Sequence, residues 1–266
     1  MKTLLTGLGL VESPRWRDGL LWFADWSAGE VITVDLDGNH EVVARVDSLP
    51  LCIDWLPDGH LLIVDSPNGR LLRRDQDGTL VTRADLGKPG WNDIVVDGRG
   101  NAYVNCAGFN PMAGEEFKPG GVYLANPDGC RQVADDIAFP NGMAVVDDVL
   151  IVADSYGHAL VAFDIQPNGD LANRRIWADL GSDVPDGICV DRSGAVWYAD
   201  VPHKRCVRVA SGGKVLDTVD VDRGAFACAL NGSTLFVVAA EWQGMTEKEL
   251  VRPGSGQVIA VDLDTA

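Results

Sequence analysis

The stretch Asp58-Gly59-His60-Leu61-Leu62-Ile63-Val64 couples a tight turn to an apolar run, and the recurrence of that couplet along the chain decides the fold. Asp-Gly suits a two-residue hairpin turn because both central positions take positive φ, which Gly and Asp tolerate best. The Leu, Ile and Val residues that follow read as a strand. Upstream, Asp18-Gly19 leads into Leu20-Leu21-Trp22-Phe23. Downstream, turn residues recur at Asp97-Gly98, Asp147-Asp148, residues 191–194 and Asn231-Gly232. Successive members of this set lie 40, 39, 50, 44 and 40 residues apart. A second set interleaves at Asp37-Gly38, Asp77-Gly78, Asp128-Gly129, Asn168-Gly169 and Gly212-Gly213. Two hairpins per repeat give about four strands per unit, the arithmetic of a propeller blade. No stretch sustains a 3.6-residue amphipathic pattern over four turns. The expected fold is therefore all-β: a six-bladed β-propeller of four-stranded antiparallel blades, with residues 1–266 forming a single domain. A β-sandwich does not explain the six-fold period. The run at residues 257–263 reads as an outer strand of the last blade, and Lys2-Thr3-Leu4-Leu5 completes that sheet.

Five or six residues before each first-set turn the chain enters the strand nearest the propeller axis. Those positions hold Glu12, Cys52, Asn92, Asn141, Asp186 and Phe226 or Ala227. Equivalent blades project all six into one mouth of the central channel, so Glu12 and Asp186 converge although 174 residues apart. Two carboxylates on one ring are costly to bury unless a cation offsets them. Carboxylate and amide oxygens, with no His and no thiolate, suit a hard divalent ion. Calcium is favoured because it accepts irregular oxygen ligation; zinc, manganese and magnesium are the alternatives. Read singly, Asn141-Gly142 and Asp186-Gly187 are ordinary turn pairs, and the shared phase is what argues for a metal. Cys52 on the same ring reads as channel packing.

Composition narrows the function classes. A formal net charge of −17 argues against nucleic acid, whose affinity rests on Lys and Arg, and against anionic membranes. No apolar run is long enough for a membrane helix, and the N-terminal residues lack the apolar core of a secretion signal, so the expected location is the cytoplasm. The six Cys form no C-x-x-C pair and are expected as buried, reduced thiols.

The motifs Val11-Glu12-Ser13-Pro14-Arg15-Trp16, Pro140-Asn141-Gly142, Val152-Ala153-Asp154-Ser155-Tyr156 and Pro185-Asp186-Gly187 resemble those of the senescence marker protein 30, gluconolactonase and luciferin-regenerating enzyme family. The resemblance runs from about residue 8 to the C-terminus. It implies a six-bladed propeller with one divalent ion in the channel, held directly by Glu12, Asn141 and Asp186. It also implies that Asn92 sits beside the metal and touches the ion or the substrate, and that Asp186 assists the attack of water. The chain departs from the sugar lactonases at Gly90-Trp91-Asn92-Asp93-Ile94, where those members tend to read Arg-any-Asn-Asp-Gly. The guanidinium that would grip sugar hydroxyls is missing. Likewise Asn105-Cys106-Ala107-Gly108-Phe109-Asn110 replaces a loop that offers a carboxylate. A less polar lactone or ester is thus as good a substrate as an aldonolactone.

The expected chemistry is metal-assisted hydrolysis of a cyclic ester, with Asp186 and Asn92 as catalytic residues. Trp91, Asn92, Asn105 and Phe109 are the expected substrate contacts. Three rivals stand beside it. Nucleophilic catalysis lacks a G-x-S-x-G elbow, and His203, after an inner strand, is the one His placed to face the channel; Glu241-Trp242 could line the mouth or cap a strand. A calcium-dependent phosphotriesterase would use the same ligand set. A non-enzymatic binding propeller would not need clustered carboxylates. The expected partner is a small lactone or ester, and the sequence is silent on oligomeric state.

Overall fold

The alternation of turn and apolar run builds six four-stranded antiparallel sheets, each in simple meander order, as the computed structural model shows. It describes residues 1–245 and 250–263. Blade one comprises Val11–Arg17, Leu20–Asp25, Glu30–Val34 and His40–Arg45. The remaining blades begin on inner strands Ile53–Trp55, Trp91–Val96, Pro140–Val146, Pro185–Val190 and Gly224–Asn231. First-set turns join inner to second strands and second-set turns join third to fourth. Asp18 and Gly19, at φ 52° and 81°, adopt the primed hairpin geometry that their residue types favour.

Second strands are apolar on both faces because a neighbouring blade covers each side. Leu61–Asp65 and Val196–Asp200 are buried at every residue, whereas the outer strand Val215–Asp220 is almost wholly exposed. Adjacent blades share their cores, as where the Trp16 and Phe236 rings of blades one and six stack with centroids 4.9 Å apart.

The sixth blade explains why the second set of turns has five members. Its outermost strand is Lys2–Leu8, which pairs with Gly256–Asp262, so a junction between the chain's two ends replaces the sixth hairpin. The run expected as an outer strand is accordingly the third strand of its blade, with the N-terminal strand outside it. Among the described residues the only helical element is the short 3-10 turn Pro111–Ala113, and no helix is long and apolar enough to cross a membrane.

Candidate metal and substrate site at the channel mouth

The residues at the channel mouth owe their aim to a repeated break in strand pairing. Val11, Trp91, Pro140 and Pro185 pair with the last residues of their second strands, Asp25, Cys106, Asp154 and Asp200. Regular pairing resumes only at Arg15, Ile94, Met143 and Ile188. The bulges between hold Asn92-Asp93, Asn141-Gly142 and Asp186-Gly187, and Glu12 stands at the edge of the first. A bulge kinks its strand and re-aims side chains, here toward the axis. The glycines are therefore strand residues rather than turn residues. A Cβ on Gly142 would lie 2.6 Å from the Asp186 carbonyl oxygen, and one on Gly187 would lie 2.2 Å from the Ala227 Cβ. Only glycine lets the inner strands approach so closely at the axis.

Glu12, Asn92, Asn141 and Asp186 line the floor of one open cavity of about 680 Å³. Asn92 Nδ2 donates to Asn141 Oδ1 at 3.0 Å. Asn141 Nδ2 donates to Ser155 Oγ at 3.3 Å, and that hydroxyl donates to the Pro185 carbonyl at 2.7 Å. The Ser13 amide donates to Glu12 Oε2 at 2.9 Å, and Ser13 Oγ accepts from the Ile53 amide of the next blade. Below the ring the channel narrows to a void of about 10 Å³ bordered by Arg15, Cys52 and Cys228, room for no more than one water.

Four carboxylates crowd this axis against one guanidinium. Burial pushes Glu12 up to about 8; the Ser13 amide pulls it back and the nearby Asp93 adds to the rise. Burial, then Glu12, then Asp93 hold Asp186 well above the usual carboxylate range. Burial also raises Asp93 and Asp54, against the pull of Arg15. Arg15 donates to the Ile94 carbonyl at 3.0 Å and lies 3.8 Å from Asp93 Oδ1. Asp93 Oδ2 accepts from the Met143 amide, and Asp54 Oδ2 accepts from the Val96 amide. Glu12 lies close enough to Asp186 to raise it, and Arg15 is the base that pulls Glu12 back down. Carboxylate and amide oxygens with an excess of negative charge fit a hard divalent cation.

The other expected contacts divide. Phe109 lines the cavity. Trp91 does not: its ring is fully buried in the core between blades, edge-on to Tyr123, and its Nε1 donates to the Lys88 carbonyl at 2.5 Å. The reason is strand geometry, since neighbours in a strand face opposite ways and Asn92 takes the channel side. Asn105 is also fully buried and away from the cavity; its Nδ2 donates to the Asn141 carbonyl at 2.6 Å, which supports Asn141 from the preceding blade. His203 lies outside the channel, with Nδ1 2.7 Å from Asp200 Oδ2. Glu241 is exposed and pairs with Arg252 at 3.2 Å, while the adjacent Trp242 lines the cavity. Asp54, Asp93 and Arg15 carry charge at the axis without having been expected there. The Asp93 neighbour of Asn92 was the available signal, and Ser155 stood in a quoted motif without a role. All six cysteines are free thiols, and Cys189 and Cys228 approach to 3.7 Å between Sγ atoms.

Asp183, Asp200 and His203 bring one ligand-type atom each within 4.8 Å of one another. Arg205 already supplies the positive charge there, bonded to Asp183 Oδ1 at 2.7 Å, and the Tyr198 hydroxyl donates to the other Asp183 oxygen. That cluster, unlike the mouth between Glu12 and Asp186, carries its own guanidinium, although Asp200 Oδ1 has no hydrogen-bond partner among the described residues.

Carboxylates and amides from four blades thus stand beneath one open cavity on the axis of a propeller. The chain belongs to the SMP-30/Gluconolactonase/LRE-like family, whose model matches residues 10–241. Regucalcin from Xenopus laevis is 28% identical over 273 residues, spanning 94% of this chain and 89% of that relative. Among solved structures, a gluconolactonase from Xanthomonas campestris superposes with a TM-score of 0.76 at 22% identity, covering 97% of this chain and 88% of that one. A calcium-binding protein, regucalcin, from Agrobacterium tumefaciens gives 0.77 at 20% identity, covering 98% and 94%. At these identities the two solved structures share the fold.

Proposed function

We propose that this chain is a metal-dependent lactonase, holding one divalent ion, calcium by preference, on Glu12, Asn141 and Asp186. The observation that carries the reading is the surplus of buried carboxylate over base at the axis, directly beneath a cavity sized for a small molecule. Membership in a gluconolactonase family and the calcium-binding Agrobacterium relative support it. When bound, the ion supplies Lewis-acid polarisation of the ester carbonyl. Its charge also favours the ionised forms of Glu12 and Asp186, which burial alone disfavours. Asp186, ionised, orients a water against the carbonyl carbon and takes its proton on a carboxylate oxygen. Asn92 Nδ2, now donating to Asn141, is placed on the cavity floor to turn toward the carbonyl oxygen and hold it. As the ring C–O bond breaks, the leaving alkoxide recovers the proton from Asp186, giving the hydroxy acid. Ser155 and Asn105 act through Asn141 and are positioning residues.

The test is pH-stat hydrolysis of a lactone panel by chelator-stripped protein, with calcium, manganese, zinc or magnesium restored, beside Asp186→Asn. Turnover should vanish on stripping and return with metal, and the variant should lose about 10²–10⁴ in kcat. Turnover that survives chelation, or a near-normal Asp186→Asn, would sink the mechanism.

A further inference from the structure

We infer that the substrate is a lactone with an apolar body, an alkyl chain or a fused ring, and not a polyhydroxylated sugar lactone; this rests on the hydrolase reading above. The floor of the cavity is acidic and amidic, but its walls are not. On one side stand Phe109, Phe139 and Tyr156; on the other stand Trp26, Phe226 and Trp242. Phe139 and Tyr156 stack with centroids 4.7 Å apart, and Phe109 lies 6.0 and 6.2 Å from them. Across the floor, Phe226 and Trp242 meet at 5.7 Å. The two walls flank a slot with a polar floor, and among the described residues Lys88, Asn110 and Glu115 also reach its lining.

Several polar side chains on these walls are already engaged, while the buried Ser66 hydroxyl has no partner among the described residues. Trp26 Nε1 donates to the Leu51 carbonyl. Asn110 Oδ1 accepts from the Met112 and Ala113 amides, and Glu115 accepts from the Asn110 amide. The Lys88 ammonium lies over the Trp91 and Tyr123 rings and bonds the Tyr123 hydroxyl. Ser155 is committed to Pro185 and Asn141. A sugar lactone would bury several hydroxyls against rings that offer few partners, and unpaired buried polar groups are expensive. An alkyl or aryl body meets the opposite balance, gaining about 0.8 kcal/mol for each methylene withdrawn from water. The volume of about 680 Å³ leaves room beyond one six-membered ring.

The experiment keeps the reacting ring constant and varies the tail. Calcium-loaded protein is assayed on δ-valerolactone, δ-octalactone and δ-decalactone beside glucono-δ-lactone. The value of kcat/KM should climb about threefold to fourfold per methylene until the slot is filled. Glucono-δ-lactone should trail δ-decalactone by at least about a hundredfold, and Tyr156→Ser should flatten the climb. A flat series, or a preference for glucono-δ-lactone, overturns the inference. If no lactone is turned over with any metal, the hydrolase reading falls, and calorimetric titration with the matching lactams decides the pocket separately. Affinity that grows with tail length sustains the apolar slot; affinity without tail dependence, or no binding, overturns it.

Discussion

Replacing Glu12 with Gln should stabilise the metal-free protein and abolish its response to metal. Glu12 rises from an ordinary value of 4.5 to about 8 in the fold. Between those limits the folded chain binds more protons than the unfolded one, so the stability of the metal-free protein falls as pH rises from about 4.5 to about 8 and is flat above. Across that interval, at ~1.36 kcal/mol per pH unit, the penalty reaches about 5 kcal/mol, of which about 3 is present at pH 7. Gln is nearly isosteric, can still accept from the Ser13 amide, and carries no such penalty. In chelator at pH 7, Glu12→Gln should therefore melt roughly 6–12 °C above the parent, taking 2–4 °C per kcal/mol for a chain of this size. The two should coincide near pH 4.5. With calcium the order should invert, because only the parent gains from binding. Differential scanning calorimetry from pH 4.5 to 8.5, with chelator and with calcium, reads all of this. Equal melting of the two proteins at pH 7 in chelator, or an equal calcium-induced rise in both, would refute the argument from buried charge.

Three further outcomes follow from particular contacts. Ser155→Ala removes the hydroxyl that joins Asn141 to the Pro185 carbonyl; calcium affinity should fall about 10-fold to 100-fold by calorimetry, and unchanged affinity would detach Asn141 from the metal. Gly187→Ala drives a methyl into Ala227 and should cost about 1–3 kcal/mol in urea unfolding, partly recovered in the background of Ala227→Gly. Trp91→Phe keeps the buried ring and loses the bond to Lys88; it should cost about 1 kcal/mol of stability with lactone KM within about twofold, and a tenfold rise in KM would return Trp91 to the substrate.

The fold was legible because hairpin turns are local chemistry: Asp-Gly and Asn-Gly mark them wherever they fall, and their spacing counts the strands. The ring of Glu12, Asn92, Asn141 and Asp186 was legible because equivalent blades place equivalent positions at one mouth. That Trp91 and Asn105 lie off the cavity lining was not legible, because nearness in sequence to Asn92, or to the loop carrying Phe109, says nothing about direction. One peptide unit separates Trp91 from Asn92, yet it turns the indole into the core. Asn105 acts across a blade boundary, on the backbone of Asn141, and no local pattern encodes that bond. Asp54 and Arg15 were hidden for a related reason. The channel beneath the mouth is built from residues further along the inner strands, and bulges shift which of them face the axis.

The junction of Lys2–Leu8 with Gly256–Asp262 sets an order of events during synthesis. Glu12 lies in blade one and Asp186 in blade five, and blade six stands between them in the ring. A nascent chain that has finished five blades holds Asn92, Asn141 and Asp186 side by side but leaves Glu12 at a free flank. The acidic mouth is complete only when residues 256–262 emerge and pair with the strand Lys2–Leu8. The repulsion among the carboxylates is thus postponed until the ring closes.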